Sequence, residues 1–332
     1  MSGKVNKVSV IIPLYNKAAF IKRAIDSVLS QTLQDFEIIV VDDGSQDAGA
    51  DIVASISDSR IKLIRQENAG VAAARNVGID ASSSELLAFL DADDKYCNTF
   101  LEKTVSVMVA YPDVSLVFTN YVNYYADKDL SINQTGLGIP SGIIGDYFDF
   151  SVRRGGLVSS SSVLIRKTIF ERSGKFPVGV RHSEDTDTWY RIAWTGIFYY
   201  ISEVLAYYYR DVVGSAVNSA TCEDARCHIE YREKTFNEWL NTGRIPPKLM
   251  KSTRAAIQRE QLGYVRLLVY SSRLKEGTHV LFSCGVPARA NILLYLEICA
   301  RFISPKFIIQ FMKAIKASIN NVRYNCRRQE RR

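Results

Sequence analysis

Two aspartates one residue apart, Asp91-Ala92-Asp93, close an apolar run and are followed at once by Asp94. Alternate residues of an extended segment point the same way, so both carboxylates can face one cation. Hard oxygen ligands suit Mg²⁺ or Mn²⁺, which keep positions open for phosphate oxygens. A cation so held offsets the charge of a leaving diphosphate. Acidic turns after strands are also common for purely structural reasons, because Asp favours turns. A second acidic pair, Glu184-Asp185, lies in the stretch Arg181-His182-Ser183-Glu184-Asp185-Thr186-Asp187 ahead of a helix-like run. One carboxylate of such a pair can take a proton from an attacking hydroxyl. The competing structural reading is helix capping by Ser183 or Asp185. Arg75 stands in a run of small apolar residues, and a guanidinium there needs an anionic partner, for which Asp43 or Asp91 would serve as a simple salt bridge.

The elements around these residues decide where they meet. Val8–Leu14 is a continuous β-branched run, as in a strand buried on both faces of a parallel sheet. Apolar residues then recur at helical spacing from Phe20 to Leu29. Phe36–Val41, Ile61–Ile64, Glu85–Leu90 and Val114–Phe118 read as further strands, with helices over Ala48–Ile56 and Ala69–Ile79 between them. Strands alternating with helices of about ten residues specify βαβ units and a mostly parallel sheet. Ligands bind such sheets beyond the carboxyl ends of the strands. Tyr15-Asn16, Asp42-Asp43 and Asp91-Ala92-Asp93 are therefore expected to converge on one crevice. Further on, Val158–Ile165 and Phe198–Arg210 read as strands, Thr168–Arg172 and His182–Trp194 as helices, 127–145 as a loop, and the chain from Glu223 as helical.

Val8–Tyr15, the turn Val41-Asp42-Asp43-Gly44-Ser45, the stretch Asn68–Gly78, Leu90–Asp94 and Glu184-Asp185 occur in that order. Together they resemble family 2 of the inverting nucleotide-sugar glycosyltransferases over residues 7–210. The resemblance implies a GT-A fold: a Rossmann-like, mostly parallel α/β sheet flanked by helices. It implies a UDP-sugar donor, with Pro13 and Tyr15 lining the nucleotide, Asp43 accepting from the uracil ring and Arg75 near the phosphates or the first carboxylates. Asp93 would bind Mn²⁺ or Mg²⁺, Asp91 the ribose or the metal, and Asp185 would be the base, with Glu184, His182 and Trp189 on the acceptor side. His182 also reads as an ordinary surface residue, and Trp189 and Trp194 as core. The Q-x-x-R-W sequence of processive members does not follow Asp185, which points to transfer of a single sugar. By family analogy the acceptor is a saccharide or lipid-linked saccharide of bacterial surface polysaccharide or lipopolysaccharide assembly.

The chain has 332 residues and a net charge of +7. Residues 301–332 hold nine Lys and Arg against Glu330 alone, so the remainder is close to neutral. Two regions are expected: a catalytic domain over 1–215 and a helical region over 216–332 with a basic amphipathic tail. Ile292, Leu293, Phe302, Phe307 and Phe311 interleave with the tail's cations. Such a helix either lies on an anionic membrane surface or packs on the domain with a solvated basic face. The N-terminus runs directly into a strand without a signal sequence, so the expected location is cytoplasmic, peripheral at the inner membrane face. Nothing resembles a nucleic-acid reading motif, and no nucleic-acid partner is expected. The first strand is followed by no glycine-rich loop, which argues against a dehydrogenase or a pyrophosphorylase. Cys222, Cys227 and His228 lack the paired spacing of a zinc site. The non-enzymatic alternative is a membrane-associated sugar-nucleotide or lipid-binding module with a degenerate site.

Overall fold

The computed structural model describes residues 7–125, 131–132, 138–154, 158–210 and 221–270. The basic tail and its expected membrane contact lie outside the described residues. The strands form one sheet, β1 Val8–Leu14, β2 Phe36–Asp43, β3 Ile61–Gln66, β4 Leu86–Phe89, β5 Lys95–Tyr96, β6 Val114–Tyr124, β7 Ser131–Ile132, β8 Gly142–Ile144, β9 Val163–Arg166 and β10 Ile197–Tyr209. Their order is β3-β2-β1-β4-β9-β6-β10-β5, with β7 added to β6 and β8 to β10. The β1–β2, β2–β3, β1–β4 and β6–β10 pairs are parallel, whereas β9 runs antiparallel between β4 and β6. The sheet is thus the expected α/β architecture, with one reversed strand in its middle.

The helices are α1 Ala18–Leu29, α2 Gly49–Ser55, α3 Val71–Ala81, α4 Phe100–Ala110, α5 Tyr147–Arg154, α6 Ile169–Ser173, α7 Glu184–Thr195, α8 Cys222–Asn241 and α9 Met250–Tyr270. Alternation along β1 explains why they cover both faces. Val8, Val10, Ile12 and Leu14 pack with Ile21, Ile25 and Val28 of α1 and with Phe100 and Leu101 of α4. Ile11 points to the other face, among Ala72 and Ile79 of α3 and Trp189 of α7. Such two-sided burial is what the unbroken apolar run required. Gly78 lets α3 approach β1, because a Cβ there would lie 2.3 Å from the Ile11 side chain.

The chain divides into compact units Met1–Glu260 and Gln261–Arg332. The sequence reading placed the boundary near 215. The first unit extends further because α8 buries Phe236 and Trp239 beside Trp194, with ring centroids 6.4 and 5.0 Å apart.

Val158–Ile165, expected to be a strand, is one only from Val163 onward. Ser160–Ser162 form a 3₁₀ turn capped by Ser159, whose hydroxyl accepts from the Ser161 amide. Consecutive serines satisfy one another's backbone groups, which competes with a strand ladder. Because β9 runs antiparallel to β4, this serine turn lies at the same sheet end as Asp91.

Candidate active site

Three strand ends and two helix starts build the site. At the end of β1, Asn16 adopts the left-handed conformation, with φ 50°. Its amide donates to the Ser45 hydroxyl and its side-chain oxygen accepts from the Gln46 amide, tying β1 to the turn after β2. Tyr15 is 46% exposed at this rim, whereas Pro13 is buried within β1. Gly44 has φ +74° and lies against the Asn68 backbone, so a side chain there would be doubly strained.

Asp43 is buried. It accepts from the Gln66 side chain at 2.7 Å and from the Ala69 and Gly70 amides at 2.9 Å each. It therefore holds the segment that starts α3, and it caps nothing in α2, whose N-cap is Ala48. A carboxylate suits that place, since the start of α3 presents unsatisfied amides and a partial positive charge.

Arg75, on α3, is 3% exposed and joins the two acidic motifs. One guanidinium nitrogen donates to Asp91 Oδ1 at 2.8 Å and another to Glu184 Oε1 at 2.6 Å. Burial opposes its charge, but Asp91, Glu184 and Asp185 outweigh burial and hold the guanidinium above its usual pKa. Of the two partners expected for this arginine, the structure gives Asp91 and not Asp43, and it adds Glu184, 109 residues away.

Around Asp91 the turn is crowded with carboxylates. Lys17 Nζ lies 2.9 Å from Asp93 Oδ2, and Arg23 donates to the Asp93 carbonyl. Burial and the neighbouring Asp91 charge push the Asp93 carboxyl up, against the pull of Lys17. Asp94, which the sequence left unassigned, is 1% exposed. It accepts from the Ser161 hydroxyl at 2.5 Å and from the Tyr209 amide at 3.0 Å. Burial, then Asp91 and Asp93, raise its pKa well above the carboxylate range. Asp94 thereby fastens the acidic turn to β10 and to the serine turn.

Asp91 and Asp93 match the donor type of a divalent cation. They are oxygen ligands in one turn, and their mutual repulsion is what a cation would relieve. Among the described residues no group of three or more His, Cys, Asp or Glu is disposed to hold an ion. The pair instead suits Mg²⁺ or Mn²⁺ bound by one or two carboxylates together with substrate phosphates.

The second acidic pair starts α7. Ser183, at the N-cap position, is left-handed with φ 61° and makes no side-chain cap bond. The capping role weighed for Ser183 is therefore not taken up. Glu184 is buried against Arg75, and its pKa is pushed up to about 7 by burial and by Asp185, despite Arg75. Asp185 is only partly buried. It accepts from the Ser160 hydroxyl at 3.3 Å and from the Thr186 amide at 2.6 Å. Below it, Arg232 of α8 is fully buried and donates to the Thr186 carbonyl at 3.2 Å.

The remaining acceptor-side candidates divide. His182 Nε2 lies 3.5 Å from Asp224 at the start of α8. Trp189 is 0% exposed and packs edge-on against Phe176, 5.7 Å between centroids. It presents no surface to an acceptor and serves the core, because its position on α7 turns it under the sheet rather than toward the crevice. Cys222 and Cys227 form no disulfide among the described residues, and His228 lies 3.1 Å from Arg232.

A glycosyl transferase family 2 model matches residues 9–171. The UDP-Glc:alpha-D-GlcNAc-diphosphoundecaprenol beta-1,3-glucosyltransferase WfaP of Escherichia coli is 31% identical over 211 residues, covering 63% of this chain and 78% of the relative. The chain belongs to glycosyl transferase family 2. An uncharacterised glycosyltransferase of Rickettsia conorii is 32% identical over 191 residues, 56% of this chain but only 30% of that protein. The chain spans between 17% and 39% of the length of three such bacterial relatives. Among solved structures, Staphylococcus aureus TarS 1-349 in complex with UDP-GlcNAc superposes with a TM-score of 0.56 at 17% identity, covering 79% of this chain and 83% of that one. That likeness fixes the GT-A fold.

The family match ends at residue 171, before Glu184-Asp185, so Arg75 and the serine turn link the matched part to the second acidic motif. Lys17, Ser160 and Ser161 were not singled out from the sequence. The serine run was visible there, but only antiparallel pairing of β9 brings it to the crevice.

Proposed function

We propose that the chain transfers one sugar from a UDP-sugar to a hydroxyl of a saccharide or lipid-linked saccharide, with inversion at the anomeric carbon. The observation that supports this best is the convergence of Asp91, Asp93, Arg75 and the Glu184-Asp185 pair at the carboxyl end of the sheet. On this reading Pro13 and Tyr15 line the nucleotide and Asp43 faces the uracil ring with about one lone pair left over from its three donors. Asp91 and Asp93 would hold Mn²⁺ or Mg²⁺, which supplies positive charge to the departing diphosphate. Arg75 keeps the Asp91 carboxylate oriented. Asp185, the more accessible of its pair, takes the acceptor hydroxyl proton as the oxygen attacks the face opposite the diphosphate. Glu184, engaged with Arg75, is left to orient rather than to deprotonate.

WfaP by its name uses a UDP-sugar and a lipid diphosphate acceptor, and TarS was captured with UDP-GlcNAc. Both favour UDP as the donor's nucleotide for this chain, and WfaP favours a lipid-linked saccharide acceptor. No helix among the described residues is long and apolar enough to cross a membrane. Association with the inner membrane face through the basic tail is the companion proposal, tested by sedimentation of the full chain with anionic vesicles. The enzymatic reading is tested by nucleoside diphosphate release from a panel of UDP- and GDP-sugars with Mn²⁺ or EDTA. Release from one UDP-sugar, lost with EDTA and in Asp93→Ala, is the expected result. Absence of release from every donor would favour the degenerate binding module.

A further inference from the structure

The serine turn between residues 159 and 162 touches both acidic motifs through two adjacent hydroxyls. Ser161 Oγ accepts from the Asp91 amide at 3.1 Å and donates to Asp94 Oδ2 at 2.5 Å. Ser160 Oγ donates to Asp185 Oδ2 at 3.3 Å. Both serines are almost completely buried, at 2% and 1% exposure, so neither hydroxyl is a casual surface contact. The turn itself is rigid. Ser159 and Ser162 exchange a reciprocal pair of bonds, with the Ser159 amide donating to Ser162 Oγ and the Ser162 hydroxyl donating to the Ser159 carbonyl. It is also anchored, because β9 follows immediately and is paired on both sides, to β4 and β6.

These contacts act beside Arg75, which spans the same two motifs through Asp91 and Glu184. The arginine binds the outer carboxylates of each motif. The serines bind the backbone of the acidic turn, its buried Asp94, and Asp185 itself. The other hydrogen bonds described for Asp185 come only from its own neighbour Thr186. The Ser160 hydroxyl is thus its one described hydrogen bond from another element. A base held by a single external donor has its rotamer set by that donor, and small misplacements of a reacting group cost large rate factors.

We propose that Ser160 and Ser161 are positioning residues with separate tasks: Ser160 aims Asp185 at the acceptor hydroxyl, and Ser161 fixes the Asp91–Asp94 turn that receives the donor diphosphate. The inference rests on the enzymatic reading above. At 3.3 Å the Ser160 bond is long, as catalytic hydrogen bonds commonly are outside the Michaelis complex. Hydrogen bonds to charged groups are the stronger kind, and their loss corresponds to a rate factor of about ten or more.

The test uses the full chain, with kcat, donor KM and Mn²⁺-dependent UDP affinity measured for Ser160→Ala, Ser160→Thr and Ser161→Ala. Ser160→Ala is expected to lower kcat about tenfold or more with donor KM and UDP affinity unchanged, and Ser160→Thr to restore kcat. Ser161→Ala is expected to weaken UDP binding about tenfold. Ser161→Cys, of similar volume and weaker hydrogen bonding, replaces it if the alanine variant does not fold. Turnover by the wild type with Ser160→Ala at wild-type kcat overturns the inference alone. So does a Ser160→Ala variant that loses UDP affinity in step with kcat. A wild type that turns over no donor overturns the enzymatic reading itself.

Discussion

Replacing Arg75 by Met removes the cation that the two acidic motifs share while keeping much of its volume. Arg75 is 3% exposed and Glu184 7%, and their contact is 2.6 Å. Removing one partner of a buried ion pair leaves the other charge uncompensated, at a cost of about 3–5 kcal/mol. Here the cost depends on pH. Glu184 already carries a pKa of about 7 with the arginine in place. Without it the carboxyl is driven further toward the neutral form. At pH 8 the variant must therefore bind a proton at Glu184 that the wild type does not, and it bears the larger penalty. At pH 5.5 Glu184 folds protonated in both proteins, and what is lost is the hydrogen bonding to Glu184 and Asp91, costing about 1–3 kcal/mol. Urea unfolding followed by tryptophan fluorescence reports on α7, which carries Trp189 and Trp194, and on Trp239 of α8 packed beside it. A second substitution, Glu184→Gln, should recover much of the loss at pH 8, since contacting residues couple by about 0.5–3 kcal/mol. An Arg75→Met variant within 1 kcal/mol of wild type at pH 8, or one not improved by Glu184→Gln, would refute the bridge as described.

Glu184 alone gives a pH signature. Its folded pKa of about 7 lies above the 4.5 of the free side chain, so the folded state binds the proton more tightly. Stability is unaffected below about 4.5, falls as pH rises to 7 and is then constant, by a total on the order of 3 kcal/mol. Glu184→Gln should flatten that slope, and an unchanged slope in unfolding midpoints from pH 4.5 to 7.5 would show that another group titrates. Gly78→Ala improves helix propensity by about 1 kcal/mol but places a methyl 2.3 Å from Ile11. Overpacking of about 1–3 kcal/mol should win, lowering the urea midpoint, and a neutral or stabilised variant would contradict the close α3–β1 packing.

The parts of the fold legible in sequence were those in which one face or both must be apolar. Val8–Leu14 and Phe36–Val41 could be nothing but buried strands, and their polar termini located the crevice. The helix α4 was equally legible, since Phe100, Leu101, Thr104, Val105 and Met108 share its buried face, yet no chemical residue drew attention to it. The site was legible as separate motifs but not as pairings. That Arg75 needed an anion followed from its apolar surroundings. That one anion would be Glu184 depended on where α7 docks, which no local pattern encodes. Asp43 read as a uracil ligand or an anion for Arg75, whereas it also holds the start of α3, because parallel pairing of β3 with β2 sets Gln66 opposite it and residues 66–70 follow. Trp189 and the serine run illustrate the opposite limit. Side-chain type left Trp189 between the acceptor side and the core, and the docking of α7 put it in the core; Val158–Ile165 read as a strand throughout, and capping by Ser159 made its serines a turn.

The central claim is that Asp185 removes the acceptor proton while the donor is held by the other acidic motif. Asp185→Asn tests it most directly, by UDP binding with Mn²⁺ and turnover with a UDP-sugar and a hydroxyl acceptor. Wild-type UDP affinity with turnover reduced by a factor of about 100 or more is the expected result. Turnover within a few-fold of wild type, at unchanged affinity, would contradict it.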